Sequence, residues 1–186
     1  MTLTVLDPTA ALVVIDLQKG IVPAAGEEAA AVVKESARLA AEFRRHGLPV
    51  VLVNVDGVAP GRTEKGWSGR AQLPADWTEL VAELDVRPTD HLITKRRRSA
   101  FHDTGLDTLL RDLGVTQVVL TGISTSSGVE STARSACDLG YHVVLVTDAM
   151  ADPDPVCHRH SIERIFPKLG ETATAAEVAE KARATR

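Results

Sequence analysis

The sequence predicts a three-layer α/β fold, a largely parallel sheet with helices on both faces. Two observations predict it. Short, uninterrupted apolar runs recur along the chain, as central parallel strands covered on both faces require. Between them lie helical patterns, several closed by a glycine, and strands that alternate with helices form βαβ units.

The elements follow in order. Residues 11–16 read Ala-Leu-Val-Val-Ile and end in a carboxylate, Asp16. A helical pattern over 27–46 is stopped by Gly47. A second strand is expected at 50–55 and a shorter one at 92–94. The stretch 57–73, rich in glycine and charge, is the one long irregular loop and a candidate cap over a site. A helix over 104–113 stops at Gly114, and Thr104 can cap it. A strand at 118–121, a helix over 127–139 closed by Gly140, and a strand at 143–146 come next. Residues 171–174 suit a last edge strand and 175–184 a terminal helix. Asp16, Asn54, Lys95, Gly122 and Asp148 then all stand at strand ends, where open α/β sheets bind ligands.

Composition narrows the function. A chain of 186 residues fits a single domain over 1–186. Net charge of −4 and 3% aromatics argue against a nucleic-acid binder, which needs basic surface and stacking rings. Two cysteines, Cys137 and Cys157, make neither a disulfide framework nor a zinc site. His158 and His160 are two apart and share no helical face. The N-terminus has no basic and apolar export signal, and no apolar run reaches roughly 20 residues. A cytoplasmic enzyme acting on a small molecule is the expectation, with no membrane partner. No phosphate-binding glycine motif supports nucleotide binding.

Three places can carry chemistry. Asp16 follows five apolar residues, so desolvation raises its pKa unless an ammonium opposes it. It reads either as a general acid or base or as a cap on turn amides. Lys95 opens the run Lys95-Arg-Arg-Arg98. Alone this is a solvated basic face, and strand alternation puts Lys95 and Arg97 opposite Arg96 and Arg98. The turn Gly122-Ile-Ser-Thr-Ser-Ser-Gly128 is either an ordinary βα turn or a set of amides at a helix N-terminus that favours anions.

Taken together, Val13-Val-Ile-Asp16-Leu-Gln-Lys-Gly20, Lys95-Arg-Arg-Arg-Ser-Ala-Phe101-His-Asp-Thr104 and Gly122-Ile-Ser-Thr-Ser-Ser-Gly128-Val-Glu-Ser-Thr-Ala-Arg134 resemble the isochorismatase-like hydrolase superfamily. The resemblance runs from residue 11 to about 178. It implies a Rossmann-like three-layer sandwich with six strands in the order 3-2-1-4-5-6. Most of that superfamily carry an Asp, Lys, Cys triad. By the resemblance Asp16, Lys95 and Gly128 occupy the triad positions, with glycine where the nucleophilic cysteine is expected. The amides of Ser124 and Gly128 would form the anion-binding hole, and Ile123–Ser124 would be a cis peptide. Gln18, Asn54, Arg97 and Phe101 are the expected pocket residues, and Gln18 could instead support its turn. One branch of the superfamily holds a metal through a histidine motif after the second strand. Here that region reads Asn54-Val-Asp56-Gly, so neither metal nor cofactor is expected.

The resemblance therefore implies a cofactor-independent hydrolase of a small anionic metabolite, acting on a vinyl ether or a C–N bond with Asp16 as acid/base. It also implies a homo-oligomer, dimer or tetramer. The alternative of a different class is a binding or scaffolding protein that keeps the fold without turnover.

Overall fold

A computed structural model describes residues 3–57, 61–64 and 73–184. Six strands form one sheet in the order β3-β2-β1-β4-β5-β6, and every pairing between neighbours is parallel. The strands are β1 (Ala10–Ile15), β2 (Val50–Val55), β3 (His91–Lys95), β4 (Gln117–Ile123), β5 (His142–Ala151) and β6 (Glu171–Ala173).

Burial explains the apolar runs. β1 and β4 are buried at every position, as central strands must be. Along β1, Leu12 and Val14 enter the core on one face of the sheet, while Val13 and Ile15 enter the core on the other. Each such fully buried aliphatic side chain contributes about 1.5–3 kcal/mol. β3 is an edge strand and alternates in exposure until Lys95. Two layers of helix cover the faces. α1 (Ala29–Arg45) and α5 (Ala175–Ala184) supply Val32, Leu39, Phe43 and Val178 to the first core. α2 (Leu106–Asp112) and α3 (Glu130–Asp138) supply Leu106, Leu110, Ala133 and Ala136 to the second.

Most boundaries shift by one or two residues, and three differ more from the sequence reading. The helix expected over 27–46 is preceded by a 3-10 segment, Val22–Glu28, broken at Gly26, whose φ is 69°. The helix expected from Ser127 begins as a π turn, Thr125–Val129, before α3. β5 is much longer than 143–146, because its pairing with β4 slips between Leu120 and Gly122. That irregularity takes Asp148 away from a strand end. Its Oδ1 accepts a hydrogen bond from the Ala175 amide (2.7 Å) at the start of α5. The carboxylate satisfies a helix N-terminus and is not part of the site.

Thr104 Oγ1 accepts from the amide of Leu106 (3.2 Å), the first residue of α2, although the N-cap position is Gly105. A stronger cap precedes α4 (Pro155–His160), where Asp154 Oδ1 accepts from the amides of Val156 (2.8 Å) and Cys157 (3.2 Å). Asp154→Ala is expected to lower stability by about 1 kcal/mol. Urea unfolding would measure it, and an unchanged midpoint would show that the cap adds nothing.

Among the described residues no helix is long and apolar enough to cross a membrane.

Candidate active site

The sheet order reverses direction between β1 and β4, and open α/β sheets bind ligands at such a switch point, beyond the carboxyl ends of the strands. A cavity of about 910 Å³ lies there. Asp16, Lys95, Arg97, Ser124 and Gly128 all line it.

Asp16 directly follows β1. Its φ is 53°, a left-handed conformation that a non-glycine residue seldom adopts. Two bonds hold it there. The Asp16 amide donates to the Val53 carbonyl (2.9 Å), and the Gln18 amide donates to the Asp16 carbonyl (2.8 Å). Lys95 ends β3, two strands away from β1. Neighbouring strands lie about 4.8 Å apart, so a side chain of lysine length is needed to cross the end of β2. It does cross: Lys95 Nζ stands 2.7 Å from Asp16 Oδ2. Both residues are buried, at 2% and 5% exposure. Lys95 Nζ also donates to the Arg97 carbonyl (3.2 Å).

Burial pushes the Asp16 carboxyl up from its ordinary 3.8 to about 6, against the ammonium of Lys95, whose charge and hydrogen bond pull it down. The other carboxylate oxygen, Oδ1, is buried without a hydrogen-bond partner. One oxygen is thus tied to the ammonium, and the other is buried without a partner, where a proton can reside.

The turn after β4 forms the third wall. Gly122 has φ 119°, and a Cβ there would stand 2.0 Å from the Ile15 carbonyl oxygen, so only glycine lets β4 approach β1 this closely. The Ile123–Ser124 peptide is cis. Ser126 donates its amide (2.8 Å) and its hydroxyl (2.7 Å) to Asp152 Oδ2. The amides of Ser127 (3.1 Å) and Val129 (3.2 Å) both donate to the Ser124 carbonyl. Thr125 Oγ1 lies 2.8 Å from His158 Nδ1, which ties the turn to α4. A Cβ built on Gly128 would stand 3.1 Å from Asp16 Oδ2 and 3.0 Å from Ile15 Cγ2. Any side chain at 128 would therefore begin against the Asp16 carboxylate.

Three expected pocket residues lie elsewhere. Gln18 is wholly buried, and its side chain is spent on backbone. Its Nε2 donates to the carbonyls of Val55 (3.2 Å) and Trp77 (2.9 Å), and its Oε1 accepts from the Val55 amide (2.7 Å). It supports the turn. Asn54 donates to the Thr78 carbonyl (2.9 Å). Phe101 packs on Tyr141 with ring centroids 5.8 Å apart. None of the three lines the cavity.

Other liners were not foreseen. Arg98 joins Arg97 in the wall, because β3 ends at Lys95 and strand alternation no longer governs the residues after it. Arg62 and Leu73 come from the stretch expected to cap the site. Residues 58–60 and 65–72 of that stretch lie outside the described residues. Trp77 and Gly20 also line the cavity. Among the described residues, no three His, Cys, Asp or Glu side chains gather as metal ligands.

The pattern of the isochorismatase domain matches residues 10–177. The chain belongs to the isochorismatase family. It is 42% identical over 177 residues to the uncharacterized isochorismatase family protein YwoC of Bacillus subtilis, covering 92% of this chain and 93% of that protein. The structure of an isochorismatase family protein from Burkholderia thailandensis superposes with a TM-score of 0.91 at 39% identity, over 96% of this chain and 98% of the other. The ureidoacrylate amidohydrolase RutB of Variovorax paradoxus is 32% identical over 169 residues, covering 75% of this chain and 67% of that enzyme. This isochorismatase-family chain therefore has hydrolases among its relatives and shares the family's six-stranded architecture.

Proposed function

We propose that this chain is a cofactor-independent hydrolase of a small anionic metabolite, in which Asp16 acts as the acid and no cysteine attacks the substrate. The observation that carries the proposal is the buried pair Asp16–Lys95 at 2.7 Å, set against a glycine at position 128. Where its resemblance to cysteine hydrolases implies a thiol, this chain has only Cα hydrogens, so a covalent acyl intermediate has no attachment point there.

The remaining groups suffice for a direct route. For a vinyl ether, protonated Asp16 gives its proton to the terminal enol carbon, water adds to the resulting oxocarbenium carbon and returns a proton to Asp16, and the hemiketal collapses as its hydroxyl proton passes to the departing alcohol oxygen. For an amide, water adds to the carbonyl carbon, protonated Asp16 gives its proton to the nitrogen as the C–N bond breaks, and the proton released by the added water returns to Asp16. In this proposal the Ser124 and Gly128 amides hold the oxygen on which charge develops. Lys95 and Arg97 supply positive charge for a carboxylate. A relative named as an amidohydrolase favours the C–N bond.

Incubating the wild type and Asp16→Asn with a metabolite extract tests the proposal. Product formed by the wild type alone supports it. Absence of any turnover, with a metabolite retained, would identify a binding protein instead.

Thiol chemistry offers a second check. Neither Cys137 nor Cys157 lines the cavity. Alkylation with iodoacetamide is expected to leave turnover unchanged within about twofold, the scale of an ordinary surface change. Loss of activity in Cys157→Ser, with folding preserved, would reveal a thiol acting from outside the expected position.

A further inference from the structure

Trp77 stands in the cavity wall without a part in the proton chemistry above. The chain around it is zipped onto the segment after β1. The Trp77 carbonyl accepts from the Gly20 amide (3.0 Å) and from Gln18 Nε2 (2.9 Å). On the same strip Lys19 donates its amide to the Glu79 carbonyl (2.8 Å) and Val81 donates to the Leu17 carbonyl (3.0 Å). The backbone that carries the indole is therefore held before any ligand arrives.

Its orientation follows from Gly20. A Cβ on Gly20 would stand 2.0 Å from Trp77 Cδ1, 2.1 Å from Nε1 and 2.3 Å from Cγ. A point lying in the ring plane and that near Cδ1 would be about 3 Å from the two flanking atoms, given ordinary bond lengths near 1.4 Å. The nearly equal distances place it over the face of the five-membered ring. One face of the indole thus lies against the Gly20 backbone, and no larger residue at 20 would allow this. Trp77 itself is half-buried and lines the cavity. Lys95, Arg97 and Arg98 line the same cavity, and Asp16 is the only acidic liner among the described residues.

We infer that Trp77, laid flat by Gly20, is a specificity-determining platform that selects planar, conjugated carboxylates over saturated ones of the same size. The carboxylate half rests on the anionic-substrate reading above, and the planar half rests on the indole alone. A flat π system gains quadrupole and contact energy on an aromatic surface that a puckered ring does not. A platform fixed in advance loses little of that gain to ordering.

Sodium benzoate and sodium cyclohexanecarboxylate test this by calorimetric titration, since they share charge and ring size and contain no hydrolysable bond. The wild type is expected to bind benzoate about three- to tenfold more tightly, the range of an aromatic pair beyond its area. Trp77→Leu is expected to bring that ratio to about one, and Trp77→Phe to keep part of it. Gly20→Ala puts a methyl where the indole lies and is expected to mimic Trp77→Leu. Its unfolding midpoint is recorded alongside, and the two Trp77 variants stand without it. Arg97→Ala is expected to weaken both probes alike. A wild-type ratio near one, or a ratio that survives Trp77→Leu, overturns the platform and leaves the anionic reading intact. Failure of both probes to bind overturns both. The role of Asp16 is untouched by either result, because it is read from turnover.

Discussion

Asp16→Asn is expected to lower kcat by about 10²–10⁴-fold, the usual contribution of a positioned general acid. The amide keeps the shape of the carboxyl group but has no comparable proton to give. Binding should survive. Without the Asp16 charge, Lys95 is unopposed, and an anionic probe such as benzoate is expected to bind at least as well as in the wild type. That combination, chemistry lost and anion binding kept, separates a missing acid from a collapsed site. The pH profile supplies the sign. Asp16 must be protonated to act, and burial holds its carboxyl up at about 6. The value of kcat/KM, which reports the free enzyme, should therefore fall as pH rises above about 6. A bound anion close to Asp16 disfavours its ionisation further, so kcat should turn down at a higher pH than kcat/KM. Activity that instead increases through pH 6 would make ionised Asp16 a base and reverse the proposed direction of proton transfer.

The alternation of apolar runs with glycine-closed helices was enough to read the layers of this fold, because central parallel strands have no polar face to confuse the pattern. β2 carries the expected bounds, Val50–Val55. β5 does not, because its slip against β4 past Leu120 is a matter of pairing, and a single strand carries no mark of it. Asp148 was misplaced for the same reason. The strand order came from the resemblance and agrees with the sheet. In the site, Asp16 and Lys95 were legible as charged residues that end strands. Gln18 and Asn54 were legible as polar residues near strand ends, but their hydrogen bonds to the Trp77 and Thr78 carbonyls depend on a segment about 60 and 24 positions away, respectively. Periodicity says nothing about that segment, which has only a 3-10 turn and an isolated antiparallel bridge from Gln18 to Leu80. Trp77 was missed for this reason. The one available signal was a large aromatic in a chain with only 3% aromatics.

Lys95→Met is expected to be the most destabilising change at the site, and its cost should depend on pH. Met fills much of the space of the lysine stem but brings no charge. Above the Asp16 pKa the variant would bury a carboxylate with no counter-ion, which costs about 3–5 kcal/mol. Below that pKa the carboxyl is neutral, and the cost should fall towards the scale of a volume-conserving swap, about 1.5 kcal/mol or less. The sign follows from linkage. The folded-state pKa of Asp16 lies above its ordinary 3.8. Its contribution to stability is therefore fully present below 3.8 and is lost as pH rises through the folded value. In the wild type that loss is complete above about 6. The charge and hydrogen bond of Lys95 hold the pKa down, so removing them moves the end of the window upward. Urea unfolding of both proteins across pH 4 to 9 would show the curves diverging as pH rises. The double variant Asp16→Asn/Lys95→Met removes both charges and is expected to recover most of the lost stability at high pH, because the penalty belongs to the unpaired carboxylate and not to either residue alone. A Lys95→Met cost that is independent of pH would show that Asp16 does not titrate in this window. Turnover would then need another source for its proton.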